Sequence, residues 1–239
     1  MINYNYHRFL DEAGDTTFYG KGKIPIIGKE GVSTHFFLGM LTLEEQAEIV
    51  RRRVIELQNQ ISNDSYFDSV PSIIKKKNNT GFFLHAKDDI PEVRKLAFEL
   101  IKNTKCHFEV VIIKKDYRMF EEKYNKNPSN FYAELLSQLL INDALENKKL
   151  ILNIAHRSKC TTHRNLENSL QKVDVLSSNM HPLRDRFCKF VFNIQKPTTE
   201  PIINITDYFL WAIQRKWERN DERYINYLAS KIKKAHFHT

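Results

Sequence analysis

His7-Arg8-Phe9-Leu10-Asp11, running on into Glu12-Ala13-Gly14-Asp15, is the stretch on which the reading of the fold turns. Apolar residues lead into two carboxylates and a glycine, the pattern of a strand released into a turn. A carboxylate at a strand end has a fixed direction, and the turn beside it leaves an open side, which suits a divalent cation. Strand side chains alternate faces, so Asp11 and Glu12 address one ion together only if Glu12 already lies in the turn. Asp11 is therefore the first candidate ligand, with Glu12 a second ligand or a supporting group. The competing reading is an acidic turn in which Asp15 hydrogen-bonds its own backbone.

Outward from this strand, Tyr19 to Ser33 carries four of the seven glycines and a proline, as a long hairpin connection would. His35 to Leu41 reads as a second strand. Thr42 and Glu45 have the spacing of a capping box. The helix they would start, Leu43 to Ile61, places Ala47, Val50, Val54, Leu57 and Ile61 on one face. Residues 62–81 form a polar excursion with Lys75-Lys76-Lys77 at its tip, and Phe82 to His85 reads as a short strand. Asp89-Ile-Pro-Glu92 opens a helix with a capping box and an early proline.

Cys106 to Ile113 is a strand, Pro128 begins a helix to about Leu145, and Leu150 to Ala155 is a strand. A helix near Arg164 to Leu176, a strand from Arg186 to Ile194, and helices over 206–217 and 221–234 complete the order. Two strands, a helix, and then alternating strands and helices resemble a ribonuclease H-like α/β sheet of about five strands flanked by helices. The expected organisation is a single such domain over 1–239, with a C-terminal helical extension near 221–235. Neither G-x-G-x-x-G nor a Walker A sequence occurs, so nucleotide sites of those kinds are unsupported.

Composition narrows the classes. The chain has 239 residues, 37 Lys plus Arg against 29 Asp plus Glu, a net charge of +8, and 41% hydrophobic residues. That apolar fraction excludes a disordered chain. No apolar run reaches the ~20 residues of a membrane span, and the N-terminal residues lack a signal-peptide pattern, so the expectation is a cytoplasmic protein. The positive balance admits a nucleic-acid partner or a basic surface that serves only solubility. Cys106, Cys160 and Cys188 have no zinc-ligand spacing, and Cys106 reads as a core residue.

Three further groups of residues invite chemistry. Asp207 follows Asn204-Ile-Thr206, where Asn204 or Thr206 would cap a helix and leave Asp207 in its first turn, favoured by the macrodipole. His85 in His85-Ala-Lys-Asp-Asp89 would reach a phosphate, a proton or a metal, or be purely structural. Arg157, Lys159 and Arg164, after the strand ending at Ala155-His156, are candidate phosphate contacts. Arg215, beside Trp217 and Arg219, is another, since basic residues interleaved with aromatics suit a nucleic-acid backbone. Amphipathic helix surfaces look the same.

The motifs in combination resemble the domain-of-unknown-function family numbered 3800. Its opening D-E-S-G matches Asp11-Glu12-Ala13-Gly14, its closing Q-x-A-D-Y matches Asn204-Ile-Thr-Asp207-Tyr208, and a middle E-L-H-like element matches Phe83-Leu84-His85. The resemblance implies a ribonuclease H-like nuclease, often tied to mobile elements or phage defence. It also implies a Mg²⁺ or Mn²⁺ site on Asp11, Glu12 and Asp207 with His85 nearby. Ala13 stands in place of a serine, Leu84 in place of an acid and Thr206 in place of an alanine. Ala155-His156-Arg157 stands where a further acid belongs.

Two functions from different classes follow. One is a divalent-metal-dependent nuclease that hydrolyses phosphodiester bonds in RNA or DNA. The other is a catalytically degenerate domain that binds nucleic acid or a protein partner from the same system. A transposase-like strand-transfer enzyme ranks last, because no helix-turn-helix or zinc motif accompanies the domain.

Overall fold

Alternation along the first strand decides how the sheet is covered. The computed structural model describes residues 7–29, 31–144, 149–156, 167, 171 and 189–238. Strand β1 runs from His7 to Gly14. Its Phe9 and Ala13 enter one apolar core and its Leu10 the other, because residues two apart share a face. Strand β2 (His35–Leu43) repeats the pattern. Phe37 and Leu41 join the first core, and Phe36, Leu38 and Met40 join the second. A sheet buried on both faces reads as near-continuous apolar sequence, which is why Phe36 to Leu41 shows no polar alternation.

β1 pairs antiparallel with β2, and β2 antiparallel with β3 (Cys106–Lys114). On its other edge β1 pairs parallel with β4 (Lys149–Ala155), which pairs parallel with β5 (Lys189–Gln195). A sixth strand, β6 (Ile232–His238), lies parallel to β3 and completes the order β5-β4-β1-β2-β3-β6. An antiparallel meander leading into a parallel pair is the ribonuclease H-like mixed sheet expected from the order of elements.

Helix α1 (Ala47–Asn63) buries Val50, Val54, Leu57 and Ile61, the stripe its spacing predicts. Helices α2 (Pro71–Asn79) and α3 (Pro91–Asn103) follow on the same side of the sheet. Helices α4 (Tyr117–Glu122) and α5 (Pro128–Ala144) cover the opposite face. Helix α6 (Ile202–Arg219) returns to the first face and packs across β1 and β2, and the short α7 (Arg223–Leu228) follows it. The close seat of α6 needs Gly39 on β2. A Cβ there would sit 2.3 Å from Phe108 Cζ and 2.9 Å from Leu210 Cδ2. Phe108 in turn stacks on Phe209 of α6 at 4.5 Å.

The structure corrects several local expectations. Thr42 caps nothing, because β2 continues to Leu43 and α1 starts only at Ala47. Glu45 instead accepts the Lys105 N–H at 2.7 Å and pairs with Arg53. Phe82 to His85 is not a strand. The tip at Lys75-Lys76-Lys77 is part of α2, and Lys76 is buried. The helix expected over 221–234 ends at Leu228, and the chain pairs with the β3 edge from Ile232 onward. Lys233 and Lys234 on this outer strand protect a sheet edge, a role that looks identical to a solvated helix face in sequence. The helix expected near Arg164 lies outside the described residues, Glu167 and Gln171 apart. Among the described residues no helix is long and apolar enough to cross a membrane.

Candidate active-site cleft

The C-terminal end of β1 and the stretch of α6 from Asp207 to Arg219 meet at a cleft of about 1060 Å³. β1 stays regular through Gly14, so Glu12 belongs to the strand and not to the turn. Alternation then separates the two acids. Asp11 shares the face of Phe9 and Ala13, which α6 covers, and Glu12 falls opposite Leu38 of the other core. Both are buried, at 5% and 7% exposure. Asp11 Oδ1 accepts the Glu12 N–H at 2.8 Å. Glu12 contributes to the cleft wall.

Gly14 takes φ +81°, and a Cβ on it would meet the His35 carbonyl oxygen at 2.4 Å, so the turn admits no side chain there. Asp15 locks this turn. Its Oδ2 accepts the Ser33 N–H and Oγ–H, each at 2.8 Å, and its Oδ1 accepts the Thr17 N–H at 2.8 Å. The fully buried Lys115 ammonium donates to Oδ1 at 3.1 Å. Burial opposes ionisation, but the Ser33 bonds and Lys115 prevail and hold the Asp15 carboxyl below its usual range. Asp15 is thus a structural clasp, as the turn reading has it.

Asp207 is not a first-turn residue. α6 starts at Ile202 with Pro201 before it, so Asn204 and Thr206 lie inside the helix, buried, and cap nothing. Asn204 Nδ2 instead donates back to the Pro201 carbonyl at 2.9 Å. What holds Asp207 is tertiary: its Oδ2 accepts the Ala86 N–H at 2.8 Å. Asp207, Trp211, Gln214, Arg215, Glu218 and Arg219 follow helical spacing and form the α6 wall of the cleft.

The segment carrying Ala86 is pinned from both sides. Asp89 does not cap α3, whose preceding residue is Ile90 with no side-chain cap. Its Oδ1 accepts from Lys76 Nζ at 2.9 Å, and its Oδ2 accepts from Tyr208 Oη at 2.7 Å and from the His85 N–H at 2.7 Å. Lys76 also donates to the Phe83 carbonyl at 2.9 Å. Burial, reinforced by Asp89, pushes the Tyr208 hydroxyl well above its usual pKa, so Tyr208 acts here as a fixed donor. His85 is half-buried, with Nδ1 3.1 Å from Asp88 Oδ2. From this segment the cleft wall takes Lys87, with His85 just outside it.

Basic residues do border the cleft: Lys29, Lys87, Arg94, Arg215 and Arg219. Arg215, the one described candidate for phosphate contact, turns its Nε and Nη2 to Asp221 at 3.2 and 2.7 Å. Arg94 donates to the Ala86 and Lys87 carbonyls at 2.7 and 3.3 Å and lies 4.7 Å from the Trp211 ring centre. Arg157, Lys159 and Arg164 lie outside the described residues. Sequence reading missed Lys87 and Arg94, because a cation at a polar position of an amphipathic helix or beside a turn carries no local signal. It missed the Lys76–Asp89–Tyr208 cluster because each partner has an ordinary local explanation.

No family model matches the chain, and no curated protein sequence does. Among solved structures the chain is similar to the PCNA:RNase HII complex from Archaeoglobus fulgidus. The match has a TM-score of 0.46 and 13% identity, over 92% of this chain and 78% of that one.

The donor chemistry bears on a metal. Asp11, Glu12 and Asp207 supply hard carboxylate oxygens, yet among the described residues no three His, Cys, Asp or Glu side chains form one ligand group. Mg²⁺ is commonly held by one or two carboxylates together with substrate phosphates and water. Glu12 and Asp207, which share the cleft lining, fit that kind of open site and not a closed protein cage. The exposed His156 follows the end of β4.

Proposed function

We propose that the chain is a divalent-metal-dependent phosphodiesterase acting on nucleic acid, the activity implied by its resemblance to the family numbered 3800. One observation carries this reading: Glu12 and Asp207 line a single cleft whose rim also carries Lys29, Lys87, Arg94 and Arg219. Asp11 sits on the adjoining strand position, on the face that α6 covers. Glu12 and Asp207, which share the cleft lining, are the residues that would hold Mg²⁺ or Mn²⁺; Asp11, on the opposite face of the strand from Glu12, would support the site through its bond to the Glu12 N–H. When bound, such an ion supplies charge neutralisation at the phosphate and an acidified water.

The chain's own residues do the positioning. The Ala86 N–H fixes the rotamer of Asp207, and the strand fixes the direction of Asp11 and Glu12. The basic rim draws in a phosphate backbone and sets its register. His85, two residues before the cleft-lining Lys87 and with Nδ1 3.1 Å from Asp88 Oδ2, is a candidate proton donor for the leaving oxygen.

The test is an incubation with Mg²⁺ or Mn²⁺ on single- and double-stranded RNA, DNA and a hybrid. Cleavage of at least one substrate is expected, with Asp207→Asn slowing it at least about 100-fold. No cleavage of any substrate, or cleavage by Asp11→Asn and Asp207→Asn at the wild-type rate, overturns the reading.

A second reading is favoured by His156 at the end of β4, where an acid is expected, and by the lack of a three-ligand group among the described residues. In it the cleft binds nucleic acid, or a protein partner, without cutting. Thermal melting separates the two. A cation that binds the site raises Tm by mass action. A Tm indifferent to Mn²⁺ but raised by nucleic acid favours binding alone.

A further inference from the structure

We infer that the α6–α7 side of the cleft is a stacking platform for unpaired bases, which makes single-stranded nucleic acid the ligand class of this site. The inference rests on the nucleic-acid reading above and deepens it. Trp211 and Tyr224 both line the cleft, half-buried, with ring centres 4.6 Å apart at 65°. Both rings pack on the first apolar core from its cleft side. The cluster they belong to continues inward through Phe98, which stacks on Tyr224 at 5.4 Å and fixes its plane.

The cations around the rings complete the pattern. Arg94 lies 4.7 Å from the Trp211 ring centre and Arg215 5.6 Å from it. A guanidinium has five N–H donors, and Arg94 gives one from Nε and one from Nη2 to the backbone carbonyls of Ala86 and Lys87. Those two bonds hold its plane and leave further donors for a phosphate. Among the described residues no carboxylate lies within ion-pair distance of Lys87 or Arg219. Aromatic faces flanked by cations bind bases through their π-surfaces and the backbone through charge, without reading sequence. In a duplex the base faces are already stacked on one another, so only an unpaired strand offers them.

The chain holds two tryptophans, which makes the platform observable. Trp217 lies outside the cleft lining, so full-length Trp217→Phe protein reports on Trp211 alone. It would be titrated in EDTA, to prevent cleavage, with 12-mers of deoxythymidine, of uridine, of an abasic backbone of equal charge, and with a 12-base-pair duplex. The expected result is quenching of Trp211 by the base-bearing single strands, DNA and RNA arms reporting their own affinities. The abasic strand should bind at least about 5-fold more weakly and without quenching. Trp211→Leu, assayed by anisotropy of a labelled strand, should lose about 5- to 150-fold in affinity for deoxythymidine 12-mer and little for the abasic strand. If that variant melts early, the quenching arms on the Trp217→Phe protein decide alone. Equal binding of abasic and base-bearing strands, or quenching by duplex as strong as by single strand, overturns the platform. Cleavage of a duplex with no quenching would sink the platform and leave the hydrolytic reading standing. Quenching with no cleavage on addition of Mg²⁺ or Mn²⁺ would do the reverse.

Discussion

Replacing Asp89 by Asn is the most informative single change outside the cleft. The side chains of Lys76 and Asp89 are 9% and 1% exposed, and their contact is 2.9 Å. Asn keeps the shape and removes the charge, so the Lys76 ammonium stays buried with neutral partners alone in place of its counter-ion, an amide oxygen and the Phe83 carbonyl, beside the rings of Phe82 and Phe83. Breaking a buried pair from one side costs about 3–5 kcal/mol. For a chain of this size each kcal/mol moves Tm by about 2–4 °C, so a fall of about 6–20 °C is expected. Lys76→Met should cost less. It leaves the carboxylate two of its three donors, Tyr208 and the His85 N–H. The double variant should cost less than the two singles summed, by about 1 kcal/mol or more. Thermal melting of all four proteins measures this, and amide hydrogen exchange at Ala86 measures its reach. Loosening the 83–89 segment should speed exchange of the N–H that Asp207 accepts. An Asp89→Asn protein melting within about 2 °C of wild type, or strictly additive single effects, would refute the reasoning.

Two further outcomes follow from packing and titration. Gly39→Ala forces a Cβ against Phe108 and Leu210, and should cost about 1–3 kcal/mol in thermal or urea melting; an unchanged Tm would mean that α6 does not need its close seat. Burial pushes His35 below its ordinary 6.5. The unfolded chain therefore binds that proton more readily, and stability falls as pH drops below 6.5 toward the folded value. His35→Gln should flatten this part of the Tm–pH curve, and an identical slope in the two proteins would contradict the assignment.

The parts of the fold written in local pattern were legible. The stripe of α1 follows from apolar spacing. The succession of β1 to β5 along the chain follows from alternating short apolar runs and amphipathic stretches. Where tertiary partners compete with local signals, sequence reading went astray. Asp89 has the spacing of a helix cap, but Lys76, Tyr208 and the His85 N–H together outcompete the orphan amides of α3. Lys76 sits in a run of three lysines, and such a run reads as solvated whichever member is buried. Ile232 to His238 lacks a strong strand pattern because an edge strand is defined by the edge it joins. In the cleft, Glu12 and Asp207, both singled out in the sequence, are among the lining residues. The device that holds Asp207 was not, since a backbone N–H 121 residues away in sequence has no signature.

The 83–89 segment then ties together features that sequence keeps apart. At its C-terminal end Asp89 anchors it to α2 and to Tyr208 of α6. In its middle the Ala86 N–H sets Asp207, and the Ala86 and Lys87 carbonyls set Arg94, which lies over Trp211. One peptide unit, Ala86, therefore donates to the carboxylate proposed for chemistry and accepts from the guanidinium proposed for binding. Ligand that orders Arg94 against a phosphate would steady Ala86, and a steadied Ala86 holds the Asp207 rotamer. The two halves of the cleft are coupled through a hydrogen-bonded element whose ends are fixed in the core. That coupling gives a physical reason for a carboxylate in the second turn of α6, where the helix dipole offers it little, to be held by a loop instead.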